Sequence, residues 1–203
     1  MRIAPLVVAL LTLPAVALAQ PRVHDPSPST SQTADLNDGE ILVRANVDGT
    51  VTTGHIMAVV EAPADEVWAI VSDFANQDRW VPDMYDATVV SASGGTEVVS
   101  AKTNLPWPLA DREYTLNVTD AEQAVGGVDS YVSSWTYAGG NMNENRGYWL
   151  VQPWQGSESE TLVVYEFEAD TGIRAPDGIE RNATRRMLPG ILQGLRDRHD
   201  ALY

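Results

Sequence analysis

Six strand-like runs follow one another between Tyr85 and Glu168 with no helical period among them. They are Tyr85–Ala92, Glu97–Asn104, Glu113–Thr119, Ser130–Tyr137, Tyr148–Trp154 and Thr161–Glu168, all rich in β-branched and aromatic residues. Ser93-Gly94-Gly95, Leu105–Asp111, Gly126-Gly127, Gly139–Arg146 and Gly156–Glu160 separate them. Parallel strands need a crossover of a dozen or more residues, usually a helix, and these connections are too short for that. The runs therefore predict an antiparallel meander.

What flanks the meander fixes the rest of the architecture. Two further strand-like runs precede it, Glu40–Asn46 and Gly54–Ala62, with Asp48-Gly49 as a hairpin signal between them. Pro63 then suits a first helical turn. Val67, Trp68, Ile70 and Val71 recur at helical spacing behind Asp65 and Glu66, whose charges favour the positive end of the helix dipole. A second short helix is expected over Asn76–Val81, ending at Pro82. After the meander comes a long helix, with Asp177 as its cap and Glu180 completing a capping box. Met187, Leu188, Ile191, Leu195 and Leu202 form its apolar stripe. Pro189-Gly190 in mid-helix should kink it or split it in two, as a simple bend or as a hinge. The reading is an α+β fold in which a curved antiparallel sheet wraps around one long C-terminal helix. A concave sheet and a rod meet imperfectly, so an elongated internal hydrophobic cavity should remain between them.

The N-terminal part reads differently. Arg2, the apolar stretch Ile3–Leu13, Pro14 and the small residues of Ala17-Leu18-Ala19 have the form of an export leader over 1–19, with Gln20 as the new N-terminus. Residues 20–36, rich in Pro, Ser and Thr, are expected to be a flexible tether, and 37–203 the folded domain. That length allows one good-sized core and not two ordinary domains. A soluble exported protein, periplasmic or extracellular, is the expectation.

Composition removes several functions. The chain has no cysteine, so it has no disulfide framework, thiol nucleophile or lipidated cysteine. With 13 Lys+Arg against 28 Asp+Glu, and a formal charge of -15, it lacks the cationic surface that nucleic acid requires. Lys102 is its single lysine, which a GC-rich genome or a salty habitat would equally produce. His24, His55 and His199 are scattered and suggest no metal site. There is no Gly-x-Ser-x-Gly elbow and no phosphate loop before a helix. Glu166 and Glu168 share a strand face as a carboxylate pair, for which solvent exposure is the simpler reading. No catalytic residue and no cofactor is expected.

Several stretches carry a family resemblance. Ala64–Asp73 followed by Gln77-Asp78-Arg79-Trp80-Val81-Pro82 resembles the first helix and its successor in the helix-grip superfamily. Pro106-Trp107-Pro108-Leu109-Ala110-Asp111-Arg112-Glu113-Tyr114 has the form Pro-aromatic-Pro-x-x-x-Arg-acid-aromatic and is similar to the loop before a central strand in the START lipid-transfer family. Arg146-Gly147-Tyr148-Trp149 and Leu188-Pro189-Gly190 suit bacterial members, and the resemblance covers roughly Leu36 to Tyr203. It implies one lipid or sterol-like molecule held beneath the C-terminal helix, with an Arg in the position of Arg112 facing the cavity. In relatives an acid on the preceding strand is the expected partner; this chain offers Lys102 there and Glu97 further back.

The candidate site follows from strand parity and that resemblance. Tyr114, Leu116 and Val118 share one strand face, Tyr131, Ser133, Trp135 and Tyr137 another, and Val163, Tyr165 and Phe167 a third. Facing inward they would form an apolar wall with a few hydroxyls, suited to an amphiphile, although ordinary core packing gives the same alternation. Candidate ligand contacts are Arg112, Tyr114, Tyr131, Trp135, Tyr165, Phe167, Met187 and Ile191. Arg112 either pairs structurally with Glu113 or Asp111 or donates to the polar end of a ligand. Arg181, Arg185, Arg186, Arg196 and Arg198 make the last helix locally basic, through solvation and pairing or for transient contact with anionic lipid heads. The expected function is sequestration or transfer of a single hydrophobic ligand by a monomer. The alternative is a polyketide cyclase or aromatase type of enzyme using the same cavity.

Overall fold

The computed structural model describes residues 20–105, 107–174 and 179–203, and for 179–186 the backbone. The leader, the side-chain cap of Asp177 and Glu180, and the side chains of Arg181, Arg185 and Arg186 lie outside the described residues. Eight strands form one antiparallel sheet: β1 (Leu42–Asp48), β2 (Val51–Val60), β3 (Met84–Ser93), β4 (Thr96–Thr103), β5 (Arg112–Val125), β6 (Val128–Gly140), β7 (Glu144–Pro153) and β8 (Thr161–Asp170). Their order is β1-β2-β8-β7-β6-β5-β4-β3. The meander runs as the sequence predicts, and β8 closes the circuit by pairing with β2 from Val51↔Asp170 to Val60↔Thr161. Thr161 fastens that end, its hydroxyl donating to the Ala62 carbonyl at 2.7 Å.

β5 and β6 run longer than the sequence suggests. Val125 pairs with Val128 across Gly126-Gly127, both at positive φ (+61° and +83°), the conformation a two-residue hairpin turn demands. The extra length is a ribbon whose β5 residues Asp120–Ala124 are mostly exposed, so no apolar alternation marks it as strand.

Each face of the sheet has its own cover. Ile56, Val99, Leu116, Trp149 and Val163 point to the concave side, under α2 (Ala64–Val71) and α3 (Ile179–Asp200). α2 starts after Pro63, carries Asp65 and Glu66 in its first turn, and buries Val67, Ile70 and Val71. The helix expected over Asn76–Val81 is instead a 3-10 segment, Phe74–Arg79. Ten residues lie between the end of α2 and Pro82, and within them Gln77 turns inward to donate back to the Val71 carbonyl at 2.8 Å. Tight i→i+3 turns fit that short span better than an α-helix.

α3 is continuous through Pro189, so the chain does not split there. Among its described side chains Leu188, Ile191, Leu192 and Leu195 are buried; Leu192 adds to the expected stripe, and Leu202 lies beyond the helix, half exposed. His199 meets Glu66 of α2 at 2.9 Å. Arg196 donates to the carbonyls of Val59 (2.6 Å) and Gly39 (3.0 Å), so the polar edge of α3 is fastened to β2 and to the turn before β1.

The expected tether over 20–36 is corrected. Ser29 opens a helix, α1 (Thr30–Asn37), through a reciprocal capping box with Gln32 (3.3 and 3.0 Å). Leu36 is 1% exposed, packed with Met57, Val132, Leu150, Trp154 and Leu162 on the convex side of the sheet. The Trp154 indole donates to Asn37 at 2.8 Å, and Gln20 accepts from Ser134 at 3.0 Å. A Pro- and Ser-rich segment is ordered here because the convex face is apolar and needs a cover.

Candidate functional site

Between the concave sheet and α3 lies a cavity of about 200 Å³. Its sheet wall comes from Arg112 and Tyr114 of β5 and from Tyr165 and Phe167 of β8; Met187, Leu188 and Ile191 of α3 form the roof. Leu105 and Leu109 of the β4–β5 loop, with Ile173 after β8, form the rim. A smaller cavity of about 50 Å³ continues inward past Tyr114 and Tyr165 toward Trp135 and Trp149.

Strand register explains how large rings fit on this wall. Phe167 stands opposite Gly54 on β2 and Gly147 on β7. A Cβ on Gly54 would collide with the Phe167 ring, and one on Gly147 would collide with Trp135 and the Glu166 carbonyl. The two glycines leave bare backbone against which the rings lie. The rings then form a chain: Tyr165 is 4.2 Å from Trp149, 5.3 Å from Phe167 and 5.6 Å from Trp135, centroid to centroid. Trp135 is held in turn by donation from its indole to Asn145 at 2.9 Å.

Polar groups converge on the β5 side. The Tyr114 hydroxyl is 3.3 Å from that of Thr103. Burial raises the phenol pKa of Tyr114, and burial followed by the neighbouring Tyr114 raises that of Tyr165, so both remain protonated and able to donate. Arg112 is 6% exposed. Its one hydrogen bond to a described residue runs from Nη1 to the Asp111 carbonyl at 3.2 Å, and its Nε has no partner. Neither structural pairing considered for it forms. The Asp111 carboxylate accepts from Tyr85 at 2.7 Å, and Glu113 is exposed on the other side of β5. Lys102, opposite Glu113 in register, faces outward with it and pairs with Asp86 at 3.0 Å. Thr103 is the residue opposite Arg112.

Six of the eight candidate residues, Arg112, Tyr114, Tyr165, Phe167, Met187 and Ile191, line the larger cavity. Trp135 lines only the inner one. Tyr131 faces the concave side but stacks on Trp68 of α2 at 5.3 Å and lines neither cavity. Its place in the site is corrected to core packing. The sequence reading missed Asn145, Thr103 and the Leu105–Leu109 rim. Asn145 falls in the Gly139–Arg146 segment expected as a connection, yet it shares parity with Gly147 and Trp149, which places it on the inner face. Glu166 and Glu168 are on the convex face and are paired rather than simply solvated, with Tyr148 (2.8 Å) and Arg146 (2.7 Å). Among the described residues, the lining of both cavities contains no Asp, Glu or His. No three His, Asp or Glu come together among them as a metal site.

A curved antiparallel sheet gripping a C-terminal helix around an apolar cavity defines the helix-grip class. Within it, residues 60–196 match the family model described as polyketide cyclase / dehydrase and lipid transport, and the chain belongs to that family. No curated protein matches the sequence significantly. Among solved structures, the fold is similar to a STAR-related lipid transfer protein of Xanthomonas axonopodis (TM-score 0.64, 17% identity, 79% of this chain and 92% of that one). It is also similar to human StAR-related lipid transfer protein 5 (0.64, 13%, 78% and 86%) and to a START superfamily protein of Mycobacterium smegmatis (0.59, 13%, 74% and 99%).

Proposed function

We propose that this protein takes up one hydrophobic molecule in the cavity under α3 and sequesters or transfers it without altering it. The observation that carries this reading is the character of the lining: mostly aromatic and aliphatic, with one charged side chain, Arg112, and the polar tips of two phenols and a few Thr and Asn residues. A site of this kind orients an amphiphile by its polar end and binds it by apolar burial. Acid–base chemistry needs a group that exchanges protons near neutral pH, and no described lining residue is a carboxylate or imidazole. The fold shared with lipid-transfer proteins supports the same reading.

The protein acts outside the cytoplasm after removal of residues 1–19, and delivers its ligand by brief contact with a lipid surface. Trp107, 90% exposed between the rim residues Leu105 and Leu109, is suited to that contact. Uptake of the neutral fluorophore N-phenyl-1-naphthylamine, with 1:1 saturation, tests the container. Trp107→Ala should slow transfer of a fluorescent lipid between vesicles severalfold while leaving equilibrium binding unchanged. Transfer at the wild-type rate would remove Trp107 from the contact. A cyclase reading draws on Arg112, Tyr114 and Tyr165 lining one cavity, donors that could polarise a carbonyl. Turnover of a poly-β-carbonyl thioester by the purified protein would favour it over the carrier.

A further inference from the structure

We infer that the ligand's polar end is an anion, a carboxylate on a compact apolar body, seated on Arg112. This rests on the container reading above and adds the sign of the head group. The chain shows twice what it does with a guanidinium elsewhere. Arg196 is satisfied by three donations to the Val59 and Gly39 carbonyls. Arg146 reaches Glu168 at 2.7 Å. Arg112 is more buried than Arg146, yet one donation to the Asp111 carbonyl is all that the described residues supply, and its Nε is sealed from solvent without a partner.

A guanidinium cannot lose its proton, so burial leaves its charge and its remaining N–H donors to be met by something else. Among the described residues, the nearby candidates are all committed. Asp111 is taken by Tyr85, Glu113 points outward, and Thr103, the cross-strand neighbour, carries no charge. The side of Arg112 that remains is the cavity it lines. Uncharged carbonyls suffice for Arg196, which is only half-buried and keeps water near its charge, but at the deeper burial of Arg112 an alcohol or carbonyl would meet a donor and leave the charge uncompensated. A carboxylate meets both, and its two oxygens match the planar fork. The guanidinium itself argues against a cationic head group, since like charges would meet in a buried site, and the Tyr114 hydroxyl on the same wall can add a donor to an acceptor seated there. The small volume restricts the body to a single chain or a compact ring system, not a two-chain lipid.

The test compares head groups on one chain. N-phenyl-1-naphthylamine bound to the protein is displaced by dodecanoate, 1-dodecanol and dodecyltrimethylammonium, each below its aggregation limit. Dodecanoate should displace it at a concentration about tenfold lower than the alcohol or less, in line with the loss expected when a charged hydrogen-bond partner is absent. Arg112→Met should erase that preference while retaining affinity for the alcohol, and Arg112→Lys should keep part of it. Equal potency of acid and alcohol on the wild type, or an acid preference that survives in Arg112→Met, overturns the head-group inference and leaves the container intact. A wild-type chain that binds neither fluorophore nor competitor overturns both. Should Arg112→Met fail to fold, the wild-type acid-to-alcohol ratio and Arg112→Lys decide alone.

Discussion

Buried phenols make single residues on both faces of the sheet responsive to alkali. Burial raises the pKa of Tyr114 and Tyr165 inside, and burial followed by the Glu166 hydrogen bond raises that of Tyr148 outside. A group whose folded pKa exceeds its unfolded value of about 10 stabilises fully below that pH, and the contribution is lost as pH rises through the folded pKa. Stability should therefore fall steeply above about pH 10. Tyr165→Phe should flatten that fall while leaving stability at neutral pH close to wild type. Urea unfolding across the alkaline range checks it, and an unchanged slope in the variant would mean that Tyr165 ionises as freely folded as unfolded. His55 works from the acid side. Burial is the leading cause that lowers its pKa, so its contribution is present above about pH 6.5 and lost as pH falls through the folded value. Parity along single strands was enough to place Tyr114, Tyr165 and Phe167 on the inner face. It could not show that Trp68 of α2 would claim Tyr131, because that contact depends on where a helix lands on the sheet.

Glycine in α3 looks like weakness in the sequence and proves to be clearance. A Cβ on Gly194 would collide with the Trp80 carbonyl, whereas one on Gly190 would sit 3.1 Å from Cγ of Pro82. In an open helix either Gly→Ala change would stabilise by about 1 kcal/mol. Here the two should diverge. Gly194→Ala must push α3 off the Trp80–Pro82 segment, which also borders the cavity through Val81, and should lower the melting temperature by several degrees. Gly190→Ala asks only that a proline ring shift by a few tenths of an ångström and should be near neutral or mildly stabilising. Thermal unfolding followed by circular dichroism separates them, and stabilisation by both would show that the helix is free to move away. Strands and helices were legible from local patterns: alternation for β3–β8, acidic residues and apolar spacing for α2, an apolar stripe for α3. The reason for the glycines was not, since close approach belongs to a pair of elements and leaves no trace in either alone.

At the scale of the molecule, one sheet serves two cores that do not share side chains. The concave core holds the cavity and is covered by α2 and α3; the convex core, from Leu36 to Val164, is covered by α1 and the segment before it. Alternation along β2, β7 and β8 sends successive residues to opposite cores, so Tyr148, Leu150 and Val164 are convex while Trp149, Val151 and Val163 are concave. Near-continuous apolar runs such as Met57–Val60 announce a sheet buried on both faces, and from that a cover for the convex face could have been deduced. Its identity was obscured because Pro and Ser dominate the segment that supplies it. The division makes stability and binding separable. A chain beginning at Asp38 exposes Leu150, Trp154, Leu162 and Val164 and leaves the Trp154 indole without Asn37. It should unfold at lower temperature and lower urea concentration than one beginning at Gln20. Leu36→Ala alone should account for about 2–5 kcal/mol, the range for truncating a fully buried leucine. Affinity for N-phenyl-1-naphthylamine, measured where both chains are folded, should be unchanged, because every described residue lining the cavity lies beyond position 38. Weaker binding by the shortened but folded chain would mean that the two cores communicate through the sheet.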